Sequence, residues 1–286
     1  MQAQPEERLS GLLKALGLAE VPLGLMYSDA PPDPCLSPQP LELPSRQREM
    51  AGEIDWGAVF GGFSCALGHI WRARQKHVPA CFSARNYGCP GAAFWLGFIK
   101  PQTETIVHYV SSGIPGHLPG EGYLATPDEC RALFERVDPR PAPKPYLVVK
   151  PLDLMAPGEE PELVAFFARP ETLTGLVTLA THVTGRAEAV RMPWGAACGC
   201  LAAWPLHYLE RGERRVGVLG GFDPSARKYF QTDELSLTVS RALYEAMLEA
   251  WPQSFLTQPT WRVVSKKIAR SHRAWTAGRG SHKHIE

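Results

Sequence analysis

Five of the seven cysteines fall in two short windows of the 286-residue chain. The first, Cys65 to Gly97, holds Cys65, Cys81 and Cys89, the last inside Asn86-Tyr87-Gly88-Cys89-Pro90-Gly91-Ala92-Ala93. The second, Gly195 to Trp204, carries Cys198 and Cys200. Both are rich in Gly and Ala, which lets the backbone come close to whatever the thiols hold. Iron–sulfur clusters are held by about four thiolates, and soft metals select Cys over carboxylate. Cys65, Cys89, Cys198 and Cys200 are therefore the expected metal ligands, enough for a four-iron cluster, with Cys81 in reserve. Arg85, Asn86 and Gly91 are the expected cofactor-binding residues around them, since neighbouring N–H groups tune a cluster. Cys35 and Cys130 lie in loop and helix contexts and are taken as bystanders.

Other chemistry fits the same residues. Cys89 at the start of a helix, with Arg85 near, would have a lowered pKa and serve a thiol enzyme, given a base such as His69 or His77. A binding module without chemistry would use Tyr87, Trp95, Arg85 and the Ser112–Gly120 loop, a candidate lid, to enclose a small anion or carboxylate. Each cysteine also has a bland reading as a small buried hydrophobe. No phosphate-binding glycine loop, serine-nucleophile elbow or His-Glu zinc motif is present, so no catalytic residue is assigned.

Composition narrows the partners. The formal net charge is +1 and 44% of residues are apolar, so no global field draws the chain to nucleic acid. The basic terminal segment, with Arg262, Lys266, Lys267, Arg270 and Arg273, reads as a solvated face. The longest apolar runs, such as Ala92–Ile99 and Leu173–Ala180, are well short of the ~20 residues a bilayer span needs. No basic-then-apolar leader opens the sequence, which places the chain in the cytoplasm, where stable disulfides are uncommon. A small molecule or a redox partner protein is the expected partner.

The elements that must position these thiols read as a mixed α/β (α+β) fold, or two related α/β halves packed around one site. Leu9, Leu12, Leu13 and Leu16 have helical spacing. Val21–Tyr27, Val78–Ser83, Tyr146–Lys150, Leu163–Phe167, Ala187–Met192 and Val216–Gly220 read as strands, and Ile106–Ser111 as a further one. Helices are expected over Leu67–Trp71, Ala92–Lys100, Thr126–Val137, Glu171–Val183, Cys198–Leu209 with a break near Pro205, Glu234–Trp251 with a strand at its start, and Thr260–His272. The order strand, Gly-flanked cysteine, strand, turn recurs at an offset of roughly 135–140 residues, about one domain's length. That repeat sets Cys65 against Cys198 and Asp223 opposite Cys89. It divides the chain into an N-terminal half, 1–150, a C-terminal half, 151–275, and a flexible tail, 276–286.

The order of the motifs resembles a known family. It comprises Cys65, then Cys89-Pro90-Gly91-Ala92-Ala93 with Leu96-Gly97-Phe98, then Lys150-Pro151-Leu152, Arg169-Pro170, Ala197-Cys198, and a late Arg227 and Glu234. This is similar to the uncharacterised prokaryotic family called domain of unknown function 169, over about Leu9 to Trp251. The resemblance implies very little about activity. In that family a further cysteine often precedes the late Ser-Arg pair. Here Gly220–Arg227 has no thiol, which implies that Cys200 replaces it or that the site differs.

Overall fold

In a computed structural model, residues 5–18, 20–41, 48, 61–99 and 104–278 are described. The mixed α/β class follows from one seven-stranded sheet with helices on both faces. Its strands are β1 (Leu23–Ser28), β2 (Ala80–Ser83), β5 (Tyr146–Pro151), β6 (Leu163–Ala168), β7 (Val190–Arg191), β8 (Gly217–Gly220) and β9 (Leu235–Ser240). They run in the order β2-β5-β1-β6-β9-β8-β7, antiparallel except for β7 against β8. A separate hairpin pairs β3 (Gly113–Ile114) with β4 (Leu118–Pro119). The two expected halves share the large sheet, because β1 pairs with β6 at its centre.

Strand alternation sorts side chains between the two faces. Leu23, Leu25, Ala80, Phe82, Leu147, Val149, Leu163 and Ala165 face one core. There they meet α2 (Ala66–Lys76), α3 (Pro90–Trp95) and α7 (Trp204–Glu210). Val164, Phe166, Leu237 and Val239 face a second core under α1 (Pro5–Leu16), α6 (Pro170–Thr184), α8 (Arg241–Ala250) and α9 (Pro259–Gly278). Leu12 and Leu16 of α1 are fully buried there, as their helical spacing implies.

Local chemistry sets the element ends. Thr126 caps α5 (Pro127–Val137) with a reciprocal box: its hydroxyl accepts from the Glu129 N–H, and the Glu129 carboxylate accepts from the Thr126 N–H. Gly97, at φ +80°, ends α3 well before the expected limit, and Lys100 lies outside the described residues. Residues expected to be a strand from Ile106 instead form α4 (Glu104–Val110). The β-branched pair Ile106-Val107 suggested extension, but both side chains are buried on one face of a helical turn. The start of the expected helix at Glu234 is strand β9, where Leu235, Leu237 and Val239 alternate, and Ser240 then caps α8. A π-helical turn, Gly199–Ala203, leads into α7. Pro205 has no N–H to give and its ring needs room, so the wider turn sits where the sequence suggested a break. Residues 276–278 of the expected tail form the last part of α9, and 279–286 lie outside the described residues.

A buried ion cluster ties the N-terminal segment to the end of the chain's central sheet. The Arg74 guanidinium, on α2, donates to Glu234 at 2.7 and 3.0 Å and to Glu20 at 2.6 and 3.0 Å, and lies 3.9 Å over the Phe167 ring. Its side chain is 5% exposed and that of Glu234 6%. Replacing Arg74 by Ala strands the Glu234 carboxylate, and chemical denaturation should register a loss of about 3–5 kcal/mol. A second joint is backbone: the Ser64 N–H donates to the Gly88 carbonyl at 2.8 Å. Gly88 sits at φ +86°, and a Cβ there would lie 2.4 Å from the Ser64 carbonyl oxygen. Gly88→Ala should cost about 2–3 kcal/mol in urea unfolding, whereas Gly116→Ala, with open space at its Cβ, should cost only its own positive-φ strain.

Candidate functional site

Three cysteines from distant parts of the chain open onto one cavity of about 280 Å³. Each is the residue that starts a helical segment. Cys65 precedes α2, Cys198 precedes the π-turn, and Cys89 precedes α3, where its Sγ accepts from the Ala92 N–H at 3.4 Å. Pro90 occupies the first helical position after Cys89, where a missing N–H costs nothing. Gly91 also lines the cavity, and a Cβ there would sit 3.9 Å from the Cys89 sulfur. Close packing brings the Cys89 and Cys198 segments together: a Cβ on Gly199 would meet the Trp95 ring at 2.7 Å.

The fourth corner is Asp223, 6% exposed, which caps the short helix 224–229. One carboxylate oxygen accepts from the Ser225 N–H at 3.0 Å and hydroxyl at 2.8 Å, and the other from the Ala197 N–H at 3.4 Å. The loop carrying it is stapled by Arg227, which donates to the carbonyls of Gly221, Gln231, Thr232 and Glu234. Arg227 and Glu234 thus act on the site by holding its wall. The rest of the lining is mainly aromatic and apolar: Phe63, Trp95, Ile106, Phe134, Trp194 and Tyr229, with Lys228 adding one charge. Tyr109 and Tyr123 also line it, and both donate to Glu121, at 2.7 and 2.6 Å.

Several expected residues lie elsewhere. Cys200 turns away from the cavity and against β8; its thiol donates toward the carbonyls of Pro193 (3.7 Å) and Gly195 (4.0 Å). A Cβ on Gly220 would stand 2.4 Å from the Cys200 Cβ, so the sheet closes over that side chain. Neither Arg85 nor Asn86 lines the cavity. Arg85 is exposed in the turn after β2, while Asn86 binds the Pro38 carbonyl at 2.8 Å and accepts from Ser83. Cys81 points to the opposite face of the sheet from Ala80 and Phe82. Tyr87 is buried and bonded to the Leu41 carbonyl, and the Ser112–Gly120 loop is the β3–β4 hairpin beside the cavity. Asp223 was reached in the sequence only through the repeat, and Tyr109, Tyr123, Trp194 and Lys228 carried no signal of their own.

The chemistry of the thiols follows from burial. Desolvation raises the Cys65 thiol above its ordinary value, pushes Cys89 up to about 12, and holds Cys198 well above its usual range, where Cys89 and Cys65 add to the effect. The helix-start N–H bonds to Cys89 pull the other way and are outweighed. Among the described residues, no histidine lines the cavity. His69 is bonded to the Ser64 hydroxyl at 3.1 Å, and His77, on the far end of α2, pairs with Asp153. Among the described residues, no group of three or more His, Cys, Asp or Glu is placed to hold a single metal ion. No helix among them is long and apolar enough to cross a membrane.

In metal-free protein at pH 7.5, Cys89 should therefore react with iodoacetamide roughly a thousandfold more slowly than a free thiol of pKa ~8.5, its rate climbing about tenfold per pH unit toward pH 12. Peptide mass spectrometry over a pH series reads this directly.

A family model described as uncharacterised ArCR, domain of unknown function 169, matches residues 11–250. No curated protein and no solved structure matches the chain.

Proposed function

The chain belongs to the domain of unknown function 169 family, and we propose that it is a thiolate-bound iron–sulfur protein whose ligands are Cys65, Cys89 and Cys198. The observation that carries this reading is the convergence of those three thiols on one cavity. A single ion draws its donors to about 2.3 Å from one point, which no described group of side chains does. A cluster spreads its thiolates over several irons and so suits sulfurs set around a cavity wall. The thiols are neutral in the empty cavity, so loading releases protons, and affinity rises with pH.

Three thiolates leave one position of a four-iron cluster without a cysteine. Cys200, the fourth ligand suggested by spacing, is packed against Gly220 and plays no part in this reading. The aromatic wall, Lys228 and Asp223 line the same cavity and would stand beside such a cluster. A cluster there would supply one-electron redox chemistry or Lewis acidity. This chain's own residues would exclude water, through Trp95, Phe134 and Trp194, and orient a polar group, through Lys228, Tyr109 and Tyr123. That favours small-molecule redox chemistry over simple electron transfer, which needs no cavity. Cytoplasmic location and a redox partner protein belong to the same reading.

A second reading is favoured by one observation, the largely apolar lining. In it the cavity binds a small ligand without a metal, and the thiols are part of its soft wall. A thiol enzyme is the weakest of the three, because Cys89 has neither a lowered pKa nor a histidine beside it.

Anaerobic purification, followed by reconstitution with iron and sulfide, separates these readings. The expected product is brown, with broad absorption near ~400 nm. Cys65→Ala, Cys89→Ala and Cys198→Ala should each abolish or sharply lower bound iron, while Cys200→Ala leaves it unchanged. A colourless, iron-free and folded wild-type protein after reconstitution would sink the cluster and leave the binding module.

A further inference from the structure

The outer face of the sheet at its β2-β5-β1 end is covered in an unusual way. Helices cover the other end, but here the buried patch consists of Met26, Cys81 and Val148, with Cys35 and Met155 packed on it. Four of these five residues carry sulfur. Met26, Val148 and Cys81 form one row across the three strands, since Val148 pairs with both Met26 and Cys81. Cys35 arrives from the connector after β1, where Leu36 pairs in parallel with Ala80 and accepts from the Cys81 N–H at 2.9 Å. Cys35 packs on the cluster to which Cys81 belongs, and its thiol also stands 3.7 Å from the Ser37 hydroxyl. Cys81 is 1% exposed, whereas Cys35 is half-buried and so reachable from outside.

We propose that Cys35 and Cys81 form a binding site for a soft monovalent metal ion, copper(I), separate from the cavity thiols. Thiolate and thioether donors select copper(I), and the buried patch presents mainly sulfur, with the Ser37 hydroxyl 3.7 Å from the Cys35 thiol. Binding exchanges two S–H bonds for two copper–sulfur bonds and releases two protons to solvent, with no change of oxidation state. The product carries one negative charge. The Lys150 ammonium, buried on the same face and paired with Glu159, complements it. Met26 and Met155 border the ion with polarisable thioethers and keep water off it.

The test is an anaerobic competition for copper(I) against the chromophoric chelator bicinchoninate. The full chain carries Cys65→Ala, Cys89→Ala and Cys198→Ala, so that the cavity cannot take the metal. The expected result is one copper(I) equivalent withdrawn per chain, and an affinity at least about tenfold lower when Cys35→Ser is added, as loss of a ligand implies. Copper-edge absorption should then show sulfur neighbours only. A folded triple variant that takes up no copper, or a Cys35→Ser effect below tenfold, overturns the proposal. So does recovery of a Cys35–Cys81 disulfide in place of bound metal. If the triple variant does not fold, wild-type protein and Cys35→Ser are compared instead: loss of one equivalent is expected, and unchanged stoichiometry overturns the site. Because Cys35 lies outside the cavity, none of these outcomes depends on whether the cluster forms.

Discussion

The antiparallel pairing of β1 with β6 is the constraint on which the site depends. It fuses the two parts of the chain into one sheet and sets β5 and β9, then β2 and β8, symmetrically outward from the centre. The segment entering β2 carries Cys65 and the segment leaving it carries Cys89. The segment entering β8 carries Cys198 and the segment leaving it carries Asp223. Four helix starts are thereby brought to one face of the sheet, and three of them end in sulfur. Two related halves would produce this arrangement, and the repeat in the sequence is the motive for proposing them.

Keeping that face in place takes more than strand pairing. The buried Arg74 links α2 to Glu234 at the entry to β9, and Arg227 fixes the loop between β8 and β9 by saturating four carbonyls. Both guanidiniums work through carbonyl or carboxylate partners that would otherwise be left desolvated. Burial of the Arg74 side chain makes it expensive to remove. The sharp turn at Gly88 plays the same role on the other side, pressing the Cys89 strand against the residue before Cys65.

The electrostatics of the cavity also separate structure from reactivity. A cysteine at a helix start is commonly activated, since N–H groups favour the thiolate. Here the apolar wall outweighs them, and Cys89 stays protonated. In the proposed reading these poorly nucleophilic thiols would serve as ligands, because a cation supplies the charge that water and the helix do not. Behind the sheet, desolvation likewise raises the Cys81 thiol, with Lys150 pulling the other way.

Much of this was legible in the residues themselves. Short apolar runs marked most strands, Thr126 and Glu129 marked the start of α5, and the Gly- and Ala-rich windows pointed to Cys65, Cys89, Gly91 and Cys198. Those signals are local: they rest on backbone preference and on small residues permitting close approach. The sequence could not say which way a thiol faces once its element is built. Cys81 is adjacent to Phe82 along the chain, yet alternation puts the sheet between it and the cavity. Cys200 is two residues from Cys198, yet the π-turn directs it toward β8. Nor could it foresee that Arg85 would face solvent and Asn86 bind the Pro38 carbonyl, or that Tyr109 and Tyr123 would arrive from α4 and the loop after the hairpin. Residue type determined what chemistry this chain can do. The tertiary structure decided which thiols share a space, because the direction of a side chain is set by strand register, helix phase and packing partners far away along the polypeptide.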